Sequence, residues 1–373
     1  MRTITIFYDQ WGYTYRWLKP MIECREQFNE RGYDIQYSSL WDYFPKMSSR
    51  VRMAAEKQSY KRACSRQYDI VMLAYHHSTT WLGQCGSDAR IAMMKDIKAH
   101  CNTLIWLDTA DSTGTCLFDV MPYVDLYFKK QLLKDVEAYC KPTWGGRVYC
   151  EYYHNLLGID DPELMKQSYP VLDERYKNKL RVSWNVGIGD LMATTKQVWF
   201  HPFSRHKPKF ISPESPQKNI DLQYRGSSFS PVAGYQRQYC KDFVSKVDYI
   251  THSDPYVRVA HDEYVREGHA SHAILSPFGW GEVCGRDFEA FAYGATMIKM
   301  SMEHCVTFPD AYQPNKTYVP VKWDFSDLET VLRNVTSNTY KEIAQYAQNW
   351  YKHTYSEAFK SEFAAHIIGE IEK

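Results

Sequence analysis

Ala273-Ile274-Leu275-Ser276-Pro277-Phe278-Gly279-Trp280-Gly281-Glu282, running on through Arg286-Asp287-Phe288-Glu289-Ala290-Phe291-Ala292-Tyr293-Gly294 to Ala295-Thr296-Met297-Ile298-Lys299, reads as a βαβ unit. A short apolar strand leads into a glycine-containing turn, then an amphipathic helix closed by Gly294, then a second strand. The polar residues gather at one end. Gly279 and Gly281 let the backbone approach a ligand closely, and the free N–H groups of the first helical turn favour an anionic group such as a diphosphate. Arg286 and Glu289, three apart, share a helical face, so a guanidinium for phosphate oxygens and a carboxylate for ribose hydroxyls point at one ligand. The same residues also fit an ordinary strand-to-helix turn carrying a surface ion pair worth about 0.2–0.5 kcal/mol.

The run Glu289-Ala290-Phe291-Ala292-Tyr293-Gly294-Ala295 resembles the helix in the C-terminal domain of GT-B glycosyltransferases, where Glu-Ala-x-x-x-Gly precedes a buried strand. The preceding arginine gives an Arg-x-x-Glu-Ala pattern similar to that of exostosin-like and related bacterial or phage transferases. The resemblance implies an α/β fold of two Rossmann-like domains facing a cleft, with the last helix crossing back to the first domain. It implies a nucleotide-sugar co-substrate whose ribose is held by Glu289, and no required cofactor. In the commoner retaining pattern a first glutamate lies eight residues before the second; here Gly281 stands in that place and Glu282 sits one residue late. Gly279, Gly281, Glu282, Arg286 and Glu289 form the expected donor site. They are joined by Arg225 and Gly226, which follow the strand read over 220–224 and face the diphosphate as charge develops on the leaving oxygen.

Size and composition fit this reading. At 373 residues the chain exceeds the usual size of one core, and it divides into an acceptor-side domain over 1–180, a donor-side domain over 181–350 and a terminal helix over 351–373. The hydrophobic share of 44% is that of a folded protein; thirty tyrosines and eleven tryptophans serve mainly packing, with some available to stack on carbohydrate. No run of eighteen apolar residues occurs, and the N-terminus enters a strand directly, which predicts a cytoplasmic protein compatible with peripheral membrane contact. Ten cysteines without a Cys-x-x-Cys pair predict reduced thiols and no metal site. The oligomeric state is not legible.

The first half alternates strands (3–8, 34–39, 69–75, 103–107, 124–129, 180–184) with helices (15–31, a basic stretch, 88–100), which predicts a parallel sheet. Ligands sit beyond the carboxyl ends of such strands. That rim carries Asp108 and Asp111 as candidate bases for an acceptor hydroxyl, or as its hydrogen-bonding clamp, with His76 beside His77 as a further candidate. Aspartates near Ser, Thr and Gly are equally ordinary turn residues. Residues 140–176 read as irregular, and 200–218 as a long loop over the cleft.

The basic stretch Arg50, Arg52, Lys57, Lys61, Arg62 and Arg66, opposed only by Glu56, reads as a helix for an anionic acceptor or as a solvated face. The expected activity is transfer of a sugar from a nucleotide-sugar to a hydroxyl on a glycan or other anionic acceptor. Two alternatives remain open: a phage-type DNA glycosyltransferase acting on a hydroxymethylated base, and a non-catalytic nucleotide-sugar-binding or scaffolding protein.

Overall fold

A computed structural model describes residues 1–9, 12–37, 49–75, 86–167, 169–190, 192–193, 197, 200 and 203–373; side chains at 49–53, 55–56 and 86–87 are outside it. The strands are β1 (Arg2–Tyr8), β2 (Tyr33–Tyr37), β3 (Tyr68–Ala74), β4 (Cys101–Asp108), β5 (Leu126–Lys129), β6 (Gln131–Leu133), β7 (Leu180–Val182), β8 (Ile220–Gln223), β9 (Ser271–Leu275), β10 (Thr296–Met300), β11 (Cys305–Thr307) and β12 (Val319–Val321). One sheet has the order β2-β1-β3-β4-β5-β7 and a second β12-β10-β9-β8. Every pairing within these two sheets is parallel. Helices cover both faces of such a sheet, which is why β1, β3 and β4 bury nearly continuous apolar runs rather than alternating ones.

This is the doubly wound, two-sheet α/β architecture expected of the GT-B resemblance. The boundary read at 180 cuts through β7, which belongs to the first sheet. The helix Asn338–His353 packs on the second half through Tyr351 and Phe291, whose rings lie 6.0 Å apart. The final helix, Glu357–Glu372, returns to the first: Phe363 meets Phe28 edge-on, and Tyr33 Oη donates to Glu372 at 2.6 Å. No helix among the described residues is long and apolar enough to cross a membrane.

Three expectations change in detail. The single helix read over 15–31 is two, Gly12–Glu23 and Arg25–Glu30. Pro20 has no N–H to give the carbonyl of Arg16, and that carbonyl instead accepts from Asp190 N at 3.0 Å. The stretch read as irregular contains the helix Val148–Leu157, stopped by Gly158 in the left-handed region. Its tyrosines at 149, 152 and 153 mask the 3.6-residue period with polar-tipped rings. The loop read over the cleft is, from 203 on, bonded to the body: Ile211 N donates to Ala292 O at 2.9 Å and Gln348 Nε2 to Ile211 O at 2.6 Å.

A two-stranded antiparallel ribbon joins the halves. β6 follows β5 of the first sheet after one residue, β11 follows β10 of the second, and the two pair from Cys305↔Leu133 to Thr307↔Gln131. The carboxyl ends of β4 and β9 are thereby brought face to face.

Candidate active site at the domain seam

The helix Gly285–Ala292 is set in place by one buried carboxylate. Asp287 accepts from the backbone N of Cys284 at 2.9 Å, from Ser276 Oγ at 2.6 Å, from Tyr312 Oη at 2.6 Å and from Lys299 Nζ at 3.1 Å. Four donors saturate it and tie the helix start to β10. Arg286 Nη2 donates to the carbonyl of Arg225 at 2.7 Å, while its Nε and Nη1 are buried with no hydrogen-bond partner among the described residues. Glu289 accepts from Tyr264 Oη at 2.5 Å. Tyr264, Arg225 and Gly226 line an open pocket of about 610 Å³ at the carboxyl end of β8.

Arg225 itself is committed elsewhere. Both ends of its guanidinium bind Glu267, at 2.5 Å each, and Nη1 donates to the carbonyls of Asp254 and Val257. It shapes the pocket wall, whereas Arg286 holds two buried donors without a hydrogen-bond partner among the described residues.

Gly279 and Gly281 are glycine because protein approaches them. A Cβ on Gly281 would lie 1.9 Å from the backbone oxygen of Asp111, and one on Gly279 would lie 2.4 Å from Arg237 Nη2. Glu282, fully buried, reaches across the seam: it accepts from Ser112 Oγ at 3.0 Å, Thr113 Oγ1 at 2.7 Å and Thr113 N at 3.1 Å. Burial alone would raise its carboxyl, but His304 beside it and the Thr113 hydroxyl outweigh that and hold it down to about 2. His304 Nε2 lies 3.9 Å from Glu282 Oε1. Glu282, read as a donor ligand, is placed as a clamp between domains.

The acceptor-side candidates separate. Asp111 is half exposed at the seam, its Oδ1 taking a hydrogen bond from Lys130 Nζ at 3.1 Å, and Lys130 also reaches Tyr13 Oη at 3.2 Å. Asp108 is buried and saturated by Tyr127 Oη at 2.6 Å, Lys129 Nζ at 2.9 Å and Ala110 N at 2.8 Å. Although burial raises its carboxyl, Lys129 holds it below the ordinary range. No face of Asp108 is open to an acceptor. His76 and His77 lie outside the described residues, as do the side chains of Arg50 and Arg52.

Lys57, Lys61 and Arg62 are exposed on the helix Ser49–Ala63, which carries the chain from the carboxyl edge of β2 back to the start of β3. Arg62 lies beside Tyr68, the first residue of β3, whose hydroxyl bonds the Arg62 carbonyl at 2.7 Å. A helix of fifteen residues is roughly 22 Å long, so Lys61 and Arg62 sit at the edge of the sheet away from the cleft. The structure does not bring them to the donor turn.

The reading by sequence missed the contribution of the helix Val148–Leu157 and its approach. Tyr149 Oη donates to Gly279 O at 2.9 Å, Tyr153 Oη to Trp323 O at 2.7 Å, and Arg147 Nε to Trp280 O at 2.9 Å. The signal was present as Gly145-Gly146 followed by tyrosines four apart and a terminal Gly158.

No protein-family model matches this chain, and no curated protein matches it. Solved structures similar to it over nearly the whole length include an alpha-glucosyltransferase in complex with UDP (12% identity, 98% of this chain and 100% of that one, TM-score 0.46). Others are HepE of Anabaena in complex with UDP-glucose (8%, 98% and 99%, 0.46) and a UDP-N-acetylglucosamine 2-epimerase (12%, 97% and 94%, 0.39). Identities and TM-scores this low leave the fold to rest on the two-sheet topology itself.

Proposed function

We propose that the protein is a glycosyltransferase that moves a sugar from a nucleotide-sugar to an acceptor hydroxyl in the seam between its two sheets. The observation that carries this reading is Arg286. Burying two guanidinium donors without hydrogen-bond partners among the described residues costs free energy that an anionic ligand recovers, and Glu289, on the same short helix, accepts from Tyr264 of the pocket wall. The diphosphate lies against Arg286, and the ribose hydroxyls against Glu289.

Across the seam, Asp111 faces the acceptor. As the acceptor oxygen bonds to the anomeric carbon, the bond from that carbon to the diphosphate oxygen breaks and its electron pair leaves with the nucleotide. Asp111 takes the hydroxyl proton. Arg286 stabilises the charge that develops on the leaving diphosphate. A DNA acceptor is the second reading; of the basic helix, Lys61 and Arg62 lie at the end beside the start of β3.

Calorimetry with a panel of nucleoside diphosphates tests the donor half. Arg286→Ala and Glu289→Ala are each expected to weaken the nucleotide that binds wild type by about 1.5–3 kcal/mol. Unchanged affinity in both variants removes this helix from the donor site. Hydrolysis or transfer assays with nucleotide-sugars separate an enzyme from a silent binding protein.

A further inference from the structure

Trp280, in the turn between Gly279 and Gly281, is 42% exposed although it sits where the two domains touch. Its ring lies 4.5 Å from that of Phe229 at a tilt of 40°. Arg147 stands 5.3 Å from the centre of the indole and Arg237 5.2 Å from that of Phe229, so the two rings are flanked by two cations. Both guanidiniums are fastened to the same turn: Arg237 Nε donates to Phe278 O at 2.8 Å and Arg147 Nε to Trp280 O at 2.9 Å. Arg147 also donates to Gly145 O and Gln167 Oε1. These acceptors are all neutral oxygens, and neither arginine forms an ion pair with a carboxylate among the described residues. Arg147 is 6% exposed, and the buried Glu282 carboxylate is among the groups that stabilise its charge, whereas Arg237 is only half-buried.

An open indole and a neighbouring ring flanked by two guanidiniums, one residue from the backbone that touches Asp111, form an arrangement for a ligand that presents both a ring face and an anion. We infer that Trp280 and Arg237 form an acceptor subsite for an acidic sugar residue, a reading that rests on the proposed transferase activity. The C–H face of a pyranose packs on the exposed indole, its carboxylate or other acidic substituent meets the half-buried Arg237, and a hydroxyl is directed to Asp111. Arg147, beneath the indole, positions Trp280 through its carbonyl and adds field. The guanidiniums that flank both rings favour an anionic substituent over neutral hydroxyls. The 40° tilt makes a wedge rather than a parallel slot, which disfavours a flat base inserted between the two rings.

The test titrates the full chain, saturated with UDP, with trigalacturonate, with the neutral galactose trisaccharide and with a short oligothymidylate. The acidic trisaccharide is expected to bind about tenfold more tightly than the neutral one, with Arg237→Gln abolishing that difference and Trp280→Ala weakening both about tenfold. Trp280→Tyr keeps an aromatic ring and most of the affinity, and UDP affinity stays within about twofold in every variant. Arg237→Gln carries the charge test independently of how well Trp280→Ala folds. Equal binding of acidic and neutral sugars, or retained affinity in a folded Trp280→Ala, overturns the subsite; tighter binding of oligothymidylate overturns it in favour of nucleic acid. Failure of wild type to bind any nucleotide overturns the transferase reading as well, and is distinguishable because it is seen before any sugar is added.

Discussion

Thr113 Oγ1 donates to Glu282 Oε1 at 2.7 Å across the two domains, with both residues buried. The carboxylate belongs to the turn that leads into the Arg286 helix, and the hydroxyl to the turn that carries Asp111. One hydrogen-bonded group therefore couples donor-side and acceptor-side geometry.

Replacing Glu282 by Ala strands three donors in the seam. Because the folded carboxyl is held near 2 against an ordinary 4.5, its contribution is fully present above about pH 4.5 and is lost as pH falls toward 2. A shift of that size corresponds to on the order of 3 kcal/mol. Denaturant unfolding of wild type and Glu282→Ala at pH 7 and at pH 3 measures it: the gap is expected to narrow at the lower pH. A gap that does not change with pH contradicts the role of the ionised clamp.

Gly281→Ala places a Cβ against the backbone oxygen of Asp111, where no rotamer change relieves it. The seam is expected to open, seen as a larger radius of gyration in small-angle scattering together with lost turnover. Gly285→Ala, whose Cβ would meet nothing within 4 Å, is the control. Unaltered dimensions and turnover in Gly281→Ala would show that the domains do not need this contact.

Asp111→Asn and Asp108→Asn are expected to fail in different ways. The first lowers turnover by about 10²–10⁴-fold with nucleotide affinity retained, as loss of a proton acceptor does. The second leaves buried Lys129 without its counter-charge and costs about 3–5 kcal/mol of stability. Full turnover in Asp111→Asn with saturating substrates removes it as the base.

Charge reversal of Lys61 and Arg62 is expected to leave the acceptor KM and its salt dependence unchanged, since both lie in the last turn of the helix, beside the start of β3. Kinetics at low and at physiological ionic strength check it. A raised KM that recovers with neither salt nor donor concentration would place an acceptor over this helix after all.

Most of the elements were legible in the amino-acid sequence: apolar runs bounded by turn residues specify the strands of the first sheet and β8, β9 and β10 of the second, though not three-residue β12, and Gly294 with the period of 286–293 specifies the helix Gly285–Ala292. Local chemistry writes these, because each depends on residues a few positions apart. It also marked Arg286 and Glu289 on one helical face and Asp111 at a strand end. Tertiary structure decided which of the candidates are buried and saturated. Asp108 and Asp111 are three residues apart and alike in sequence, yet Lys129 and Tyr127 saturate one while the other stands half exposed. Arg225 and Arg286 differ likewise, because Glu267 happens to reach the first. The pairing of three-residue β6 with β11, some 170 positions away, and the meeting of Glu282 with Thr113 arise only when both sheets have formed. Contacts of such separation leave no periodic trace in the chain, since what fixes them is the packing of whole domains.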